Sequence, residues 1–249
     1  MLQAENVSKR FGGLTALSSV SLDLRPGEVH GLIGPNGSGK TTLLNMISGF
    51  YPVDEGTIRL DGTALNAEGV AERARRGIAR TFQKPRLLGQ LSVIDNAMLG
   101  GWRDVASGFL GTAFSMPRAW REERELRERA AQMLKGVGMA HALDRPANLL
   151  EHAEQRFLEI ARGLVAHPRF LLLDEPAGGL TPTEIDHLAT VVKVLREAGI
   201  GILLVEHHTD FVFRISDRVT ALDLGRLVRH GTPDEVRNDA EVIRVYLGA

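Results

Sequence analysis

The 249-residue chain contains no cysteine. This excludes disulfide bonds, thiolate zinc sites and cysteine-ligated iron–sulfur clusters, and it is compatible with a reducing cytosol. No apolar run approaches the roughly 20 residues that span a bilayer, and the first residues lack the apolar stretch of a secretion signal. The formal net charge is −1, so no overall field favours nucleic acid. These absences predict a cytoplasmic protein that reaches a membrane only through a partner.

A glycine-rich segment is the strongest signal in the chain. It reads Gly34-Pro35-Asn36-Gly37-Ser38-Gly39-Lys40-Thr41-Thr42 and fits the phosphate-binding pattern G-x-x-x-x-G-K-[ST]. A short buried strand is predicted before it, over 28–33, and a helix after it, over 41–47. Glycines let backbone N–H groups turn toward phosphate oxygens, and the positive end of the helix faces the same anion. Lys40 can reach the outer phosphates, and the Thr41 hydroxyl can bind Mg²⁺. A nucleoside triphosphate site is therefore predicted, against the alternative of a glycine-rich surface turn.

Two kinds of strand are predicted around this segment. Alternating stretches at 17–24 and 56–60 indicate a small antiparallel sheet, whereas the apolar runs 170–173 and 200–205 indicate buried strands of a parallel sheet. Thr181 begins the intervening helix with a capping box. Strands that alternate with helices predict an α/β fold with a parallel core sheet, which places the phosphate-binding loop at the usual ligand edge.

The middle of the chain, residues 84–161, has a different character. Residues 121–135 form a predicted charged helix with one apolar side, and an irregular glycine-rich insertion precedes it at about 100–120. Arginines in this helix alternate with glutamates, which favours a solvated face over an RNA-binding surface. We therefore predict a mostly helical subdomain inserted between two parts of the core, residues 1–83 and 162–249.

Two adjacent carboxylates follow the predicted strand 170–173. Asp174 can hold Mg²⁺, directly or through water. Glu175 should point the other way if the strand alternation continues, where it can orient and deprotonate water. The alternative is a pair of surface acids after a core strand.

His207 ends the neighbouring predicted strand. Because the carboxyl ends of parallel strands line the ligand crevice, contact with a γ-phosphate is predicted, and a purely structural histidine is the alternative. Glu206, His207 and His208 could also be metal ligands, but adjacent residues on a strand face opposite ways, which argues against such a site. Gln83 follows Arg80-Thr81-Phe82, and its residue type alone predicts nothing.

Taken together, these motifs resemble the ATP-binding subunit of ABC transporters. The phosphate-binding loop, Gln83, the stretch 173–176 and His207 occur in that family's order and spacing, over essentially the whole chain. Within the family, the chain is similar to the ATPases of importers for branched-chain amino acids and their relatives for urea, amides and other small polar solutes. The stretches that support this are 80–83, the insertion after 100, 158–162, 174–180 and 242–248.

The resemblance implies a P-loop ATPase domain: a RecA-like core with an antiparallel β-subdomain, together with a helical subdomain. ATP and Mg²⁺ are the implied cofactors. In this arrangement residues 34–42 hold the phosphates and Phe11 stacks on adenine. Thr41, Gln83 and Asp174 are the implied residues of the Mg²⁺ site.

The resemblance also implies the chemistry and the partners. Glu175 is the implied general base, His207 the γ-phosphate switch, and Gln83 the sensor of Mg²⁺ and attacking water that links the site to a membrane subunit. Family members work as head-to-tail dimers with membrane permease subunits and, indirectly, a solute-binding protein. The implied location is peripheral, on the cytoplasmic face of the inner membrane, with no nucleic acid partner.

One segment departs from the family pattern. The family signature is L-S-G-G-Q, or L-S-H-G-E-Q-R in relatives, and this chain has Leu150-Glu151-His152-Ala153-Glu154-Gln155-Arg156. An ionised carboxylate at 151 cannot donate a hydrogen bond to phosphate and repels it, and the Ala153 methyl group obstructs close backbone approach. We therefore expect asymmetric sites with a partner ATPase, or slow turnover in a homodimer.

The function expected is the ATP-hydrolysing motor of an importer for branched-chain amino acids or related small polar solutes. A soluble ABC ATPase acting on ribosomes, nucleic acid or cluster assembly is the first alternative, and the single cassette without a basic patch argues against it. A non-hydrolysing subunit is the second, and intact Glu175 and His207 argue against it.

Overall fold

The computed structural model describes residues 1–104 and 116–247, so the predicted insertion at about 100–120 lies largely outside the described residues. Two compact units are present. The first comprises 1–83, 169–178 and 185–249, and the second comprises 84–168 and 179–184.

The described residues form ten strands and nine α-helices. The strands are β1 (Leu2–Phe11), β2 (Leu14–Leu24), β3 (Val29–Ile33), β4 (Glu55–Leu60), β5 (Thr63–Ala64), β6 (Ile78–Arg80), β7 (Phe170–Asp174), β8 (Gly201–Val205), β9 (Arg218–Asp223) and β10 (Arg226–Gly231). The helices are α1 (Lys40–Ile47), α2 (Val70–Arg75), α3 (Val93–Met98), α4 (Met116–Gly136), α5 (His152–Val165), α6 (Pro182–Glu197), α7 (Thr209–Ile215), α8 (Pro233–Arg237) and α9 (Ala240–Leu247).

The main sheet of the first unit has six strands in the order β10-β9-β3-β8-β7-β6. Neighbouring strands are parallel except for the β9–β10 pair. Every residue of β3, β7 and β8 is buried, as expected of parallel strands covered on both faces. This sheet confirms the predicted parallel core. It places the ends of β3, β7 and β8, with the loops that follow, along one edge.

The second sheet of this unit is antiparallel, in the order β2-β1-β4-β5. The predicted strands at 17–24 and 56–60 lie in β2 and β4, but β1 was not anticipated. Its inward alternation is broken because the β1–β2 register shifts between Ala4 and Val7, and Asn6 has a positive φ of 48°. A bulge of this kind hides the period of two on which strand prediction depends.

The second unit is helical in its described part. Helices α3, α4 and α5 pack against one another, and α4 buries Leu126, Ala130 and Leu134 on one face, spaced as an amphipathic helix requires. The charged helix predicted over 121–135 is the greater part of α4. Helix α5 runs through residue 161 to Val165, so the boundary proposed at 161/162 falls inside a helix, and this unit extends to Pro168.

Among the described residues, no helix is both long enough and apolar enough to cross a bilayer.

Candidate functional site

The phosphate-binding segment wraps the start of α1, as predicted. Gly34, Gly37 and Gly39 all have positive φ, at 151°, 82° and 101°, and Gly39 is the residue from which α1 begins. A Cβ atom on Gly39 would lie 2.8 Å from the Ala16 carbonyl oxygen and 2.7 Å from Leu17 Cδ2. Both the backbone conformation and the close approach therefore require glycine at this position.

The Lys40 ammonium is enclosed by the same loop. Nζ donates to the carbonyl oxygens of Gly34 at 2.7 Å and Pro35 at 3.0 Å, and the residue is 5% exposed. Burial lowers the pKa of Lys40, while the charges of Glu175 and Asp174 oppose that shift. A cation thus lies close to two carboxylates, where an anionic ligand can compete for it.

A cavity of about 760 Å³ opens over this loop. Its lining combines the polar residues of 36–42 with Gln83 and Glu175, and it also includes apolar side chains such as Phe11 and Leu224. Phe11 is 42% exposed and packs edge-on against Tyr51 at 5.2 Å between ring centroids. The described residues that line the cavity are Phe11, Leu14, Thr15, Ala16, Asn36, Gly37, Ser38, Gly39, Lys40, Thr41, Thr42, Gln83, Glu175 and Leu224.

Four of the predicted site residues, Gly34, Pro35, Asp174 and His207, are not among the described residues that line this cavity. Gly34 and Pro35 instead hold Lys40 through their carbonyl groups. Asp174 directly precedes Glu175 in the chain, and His207 Nδ1 lies 3.9 Å from Glu175 Oε2.

Gln83 and Glu175 meet directly although 92 residues separate them. Gln83 Nε2 donates to Glu175 Oε2 at 2.7 Å. Strand alternation was predicted to orient Glu175, but it does not. Strand β7 ends at Asp174, and Glu175 adopts a left-handed φ of 49° while its N–H donates to the Val205 carbonyl oxygen at 2.9 Å. A non-glycine residue in this conformation carries backbone strain of the kind that gathers at functional sites.

Asp174 is enclosed at the end of β7, with 3% exposure. Its Oδ2 accepts a hydrogen bond from Arg80 at 2.9 Å, and its backbone N–H donates to Thr81 Oγ1 at 3.2 Å. Burial raises the pKa of Asp174, although Arg80 opposes the shift. The predicted metal carboxylate is thus held by the segment that leads to Gln83.

His207 approaches the same carboxylate as Gln83. Its Nδ1 lies 3.9 Å from Glu175 Oε2 and 3.7 Å from Glu206 Oε2. Glu206 is fully buried and accepts the backbone N–H groups of Ala177 at 2.6 Å and His207 at 3.1 Å. Burial raises the pKa of Glu206. This carboxylate joins the loop after Glu175 to the loop that carries His207.

The expectation that Glu206, His207 and His208 face opposite ways is wrong. Their ligand atoms lie within 4.8 Å of one another, and the two imidazole rings are 4.3 Å apart between centroids. The reason is that β8 ends at Val205, so strand alternation does not extend to these residues. Both oxygens of Glu206 accept backbone N–H groups, which gives this carboxylate a structural role in the loop.

The altered signature lies in the second unit. Glu151 is the N-cap of α5, where it forms a capping box with Glu154, whose Oε2 accepts the Glu151 N–H at 2.9 Å. Glu154 Oε1 also accepts from Arg145 at 3.1 Å and lies 3.0 Å from His141 Nε2. Ala153 is buried, with 9% exposure, in the first turn. The N-terminus of this helix therefore already carries carboxylates of the chain itself.

Comparisons with known proteins agree with this geometry. The profile described as ABC transporter matches residues 17–178, and the profile described as branched-chain amino acid ATP-binding cassette transporter matches residues 230–249. This chain belongs to the ABC transporter family. The family resemblance and the P-loop ATPase fold are thereby confirmed, and the chain is an ATPase of the kind that couples ATP hydrolysis to transport.

Individual members of the ABC transporter family are similar over their full length. The high-affinity branched-chain amino acid transport ATP-binding proteins BraF of Pseudomonas aeruginosa and LivG of Salmonella typhimurium are 39% and 41% identical, covering 100% of this chain and 98% of each relative. The lipopolysaccharide export system ATP-binding protein LptB of Escherichia coli is 36% identical, covering 99% of this chain and 97% of LptB. The crystal structure of the ADP conformation of the ATP-binding cassette MJ1267 has a TM-score of 0.87 at 32% identity, covering 100% of this chain and 99% of that one.

Three residues of this ABC cassette were missed as parts of the site. Arg80 enters the sequence analysis only as a neighbour of Gln83, and Glu206 only as a disfavoured metal ligand, because no local pattern marks either as a partner of another site residue. Tyr246, in α9, was quoted only within a C-terminal stretch. A hydrogen bond joins its hydroxyl to the Gly34 backbone, and burial raises the pKa of Tyr246 to about 12.

Proposed function

We propose that this chain is the motor subunit of an importer for branched-chain amino acids or related small polar solutes. The observation that carries the proposal is the 2.7 Å contact between Gln83 Nε2 and Glu175 Oε2 in a cavity also lined by Lys40 and Thr41. Full-length similarity to BraF and LivG, both named for branched-chain amino acid transport, supports the solute class. LptB, named for lipopolysaccharide export, is less similar at 36% identity.

ATP occupies the cavity in this proposal. Residues 34–42 bind the phosphates through backbone N–H groups and the Lys40 ammonium, because the loop conformation and the α1 N-terminus both favour an anion there. Phe11 stacks on adenine, since its partly exposed ring lines the cavity and packs against Tyr51.

The donor set fits Mg²⁺, which prefers oxygen ligands. Three side chains offer such ligands: the Thr41 hydroxyl, the Gln83 amide oxygen and the Asp174 carboxylate. Thr41 and Gln83 line the cavity. Asp174 lies close enough to Lys40 for its charge to affect the pKa of Lys40. When bound, the ion supplies positive charge against the phosphate oxygens.

Hydrolysis is assigned to the residues around Glu175. Its carboxylate accepts a proton from water as that water attacks the γ-phosphorus in line, the bond to the β,γ-bridging oxygen breaks and ADP leaves. Gln83 holds the carboxylate through Oε2. Lys40 stabilises the charge on the phosphate oxygens. His207, whose ring lies beside Glu175, contacts the γ-phosphate, and Glu206 holds the loop that carries His207.

The altered signature supports asymmetric sites. A helix N-terminus attracts a phosphate through its free N–H groups and its dipole, but at α5 the carboxylates of Glu151 and Glu154 already lie at that terminus. The bacterial ABC transporter cassette MJ0796, of similar fold at a TM-score of 0.80, has a dimeric structure. In a head-to-tail dimer of this chain, the site that uses α5 would be weakened. A partner ATPase with the family signature completes the other site, which uses the P-loop, Glu175 and His207 of this chain.

The remaining partners follow from the transport role. Membrane permease subunits carry the solute across the bilayer and contact this chain near Gln83 and 84–88, and a solute-binding protein delivers the solute to them. The chain lies on the cytoplasmic face of the inner membrane.

Replacement of the general base tests the proposed hydrolysis. We expect Glu175→Gln to bind ATP and to turn over at least about a hundredfold more slowly, which is the usual contribution of a general base. Glu197→Gln, an exposed change at the end of α6, is the matched control and should leave turnover unchanged. ATP binding and phosphate release are measured on the complex with its permease and ATPase partners. Near-normal turnover in Glu175→Gln would remove this residue from the role.

Solute class is tested separately. Membrane vesicles that contain the assembled transporter should accumulate radiolabelled leucine only when the wild-type chain and internal ATP are both present. If the complex hydrolyses ATP but leucine is neither accumulated nor able to displace another labelled solute, the branched-chain assignment fails while the ATPase role remains. If the wild-type chain binds ATP and the complex does not hydrolyse it, the chain is a non-hydrolysing subunit.

A further inference from the structure

Near the site, Arg80 is a buried cation that the proposed chemistry does not use. Its side chain is 6% exposed, and NH2 donates to Asp174 Oδ2 at 2.9 Å, where Asp174 itself is 4% exposed. Arg80 ends β6 and Asp174 ends β7, and these strands are parallel neighbours. The ion pair therefore lies at the same edge of the sheet as the cavity.

The same guanidinium also reaches α1. NH1 donates to Asn45 Oδ1 at 2.5 Å and to Ser48 Oγ at 3.1 Å, and Asn45 lies one turn beyond Thr41 on the same helix. Thr41 and Asp174 are the proposed metal residues of α1 and β7. The planar Arg80 guanidinium, with its donors in a fork, thus connects α1, which carries Thr41, with β7, which carries Asp174. Only arginine presents donors in this fixed arrangement.

Two aromatic rings lie against the guanidinium. The Arg80 Cζ atom lies 5.6 Å from the Phe50 ring centroid and 5.2 Å from that of Phe82, and these rings pack edge to face. Phe82 immediately precedes Gln83, the third proposed metal residue. The position of Gln83 is therefore coupled to Arg80 through its neighbour in the chain.

Stability alone is a weak reason for such an arrangement. A buried ion pair rarely stabilises a fold more than apolar residues of the same size, because both charges lose their hydration. In addition, Arg80 Nε is buried without a hydrogen-bond partner among the described residues, which adds a further cost. What the pair does supply is a fixed orientation of one carboxylate oxygen, with Oδ2 engaged by the cation.

We propose that Arg80 is a positioning residue for the divalent metal of the nucleotide complex. It holds Asp174 through Oδ2, so that Oδ1 would be the oxygen offered to the metal, and it keeps Asp174 in register with Thr41 and Gln83. This inference rests on the proposed Mg²⁺ site. Outer-shell partners that orient a metal ligand typically contribute about 10- to 100-fold to metal affinity.

The test measures metal affinity apart from turnover. Mn²⁺ is titrated into the full chain saturated with ATP and followed by electron paramagnetic resonance, and ATP affinity is measured in EDTA. We expect Arg80→Met to weaken Mn²⁺ binding at least roughly tenfold and to leave ATP affinity in EDTA unchanged. Arg80→Lys keeps the charge but not the fork, so it should give an intermediate loss. Arg75→Met, at an exposed arginine of α2, should match the wild type.

Two results would overturn the inference. One is wild-type Mn²⁺ affinity in folded Arg80→Met. The other is an equal loss of ATP affinity in EDTA, which would show that Arg80 supports the nucleotide loop and not the metal. If Arg80→Met does not fold, Arg80→Lys decides by the same two measurements. Failure of the wild-type chain to bind Mn²⁺ with ATP would instead refute the proposed metal site itself.

Discussion

Arg73 offers a sharp test of how the helix that carries the nucleotide loop is held. The residue lies in α2 with 1% exposure. Its guanidinium donates to four carbonyl oxygens: Met46 at 2.6 Å, Ile47 at 3.0 Å, Leu65 at 2.7 Å and Glu68 at 2.9 Å. Met46 and Ile47 are the last residues of α1, whose carbonyl groups have no partner within the helix. Arg73 therefore caps α1 with a positive charge at the favourable end of its dipole.

Arg73→Met removes these bonds and keeps most of the apolar stem. At a net contribution of about 1 kcal/mol for each hydrogen bond, four bonds correspond to a loss of about 4 kcal/mol, with little change in packing. For a chain of this size, each kcal/mol lowers the melting temperature by about 2–4 °C, so a decrease of roughly 8–16 °C is expected. Amide hydrogen exchange at the end of α1 should accelerate as well.

The matched control is Arg75→Met in the same helix. Arg75 has a side-chain exposure of 67% and a single ion pair, with Glu72 at 3.5 Å, and pairs of this kind contribute about 0–1 kcal/mol. Calorimetry gives the melting temperatures of both variants and of the wild type under the same conditions. A shift of less than about 3 °C for Arg73→Met, or equal shifts for both variants, would refute the argument that buried capping bonds stabilise α1.

Two further predictions concern the signature and the response to pH. Restoring the family residues with Glu151→Ser and Ala153→Gly should raise ATP turnover at the site that uses this α5 about tenfold or more, because one added donor to a phosphate is worth about 1.5–3 kcal/mol and each 1.4 kcal/mol is a factor of about ten. Unchanged ATPase activity of the assembled complex would show that these residues impair no site. A hydrogen bond from Arg218 lowers the pKa of Asp23 from its ordinary 3.8, so this pair stabilises the fold above pH 3.8 and the effect is lost as the pH falls through the lower folded value. The melting temperature of Arg218→Gln should therefore lie a few degrees below that of the wild type at pH 7, and this difference should shrink below about pH 4. A difference in melting temperature that does not change with pH would contradict the role of the pair.

Several parts of the fold could be predicted because their signals are local. The buried strands β7 and β8 are short apolar runs, and the start of α6 is marked by Thr181 and Glu184, whose capping contacts the structure contains. Strand β1 was not predicted because a bulge interrupts its alternation of buried and exposed side chains. Strand β6 was not predicted because it has only three residues, too few to show an alternation of apolar and polar side chains.

The phosphate-binding loop is the part of the site that the sequence by itself determined. Its glycines, lysine and threonine are contiguous, and the left-handed conformations of Gly34, Gly37 and Gly39 follow from residue type and local sterics. The family resemblance added Gln83, Glu175 and His207 as separate points along the chain, without their mutual arrangement.

Only the tertiary structure decided how those points are connected. Gln83 and Glu175 are 92 residues apart in sequence, Arg80 and Asp174 are 94 apart, and Glu206 is 29 residues from Ala177. No local pattern encodes such pairs, since each depends on which strands are neighbours in the sheet and on where each strand ends. The sheet order places β6, β7 and β8 side by side, and their carboxyl ends bring Glu175 with Gln83, and Asp174 with Arg80, to one edge.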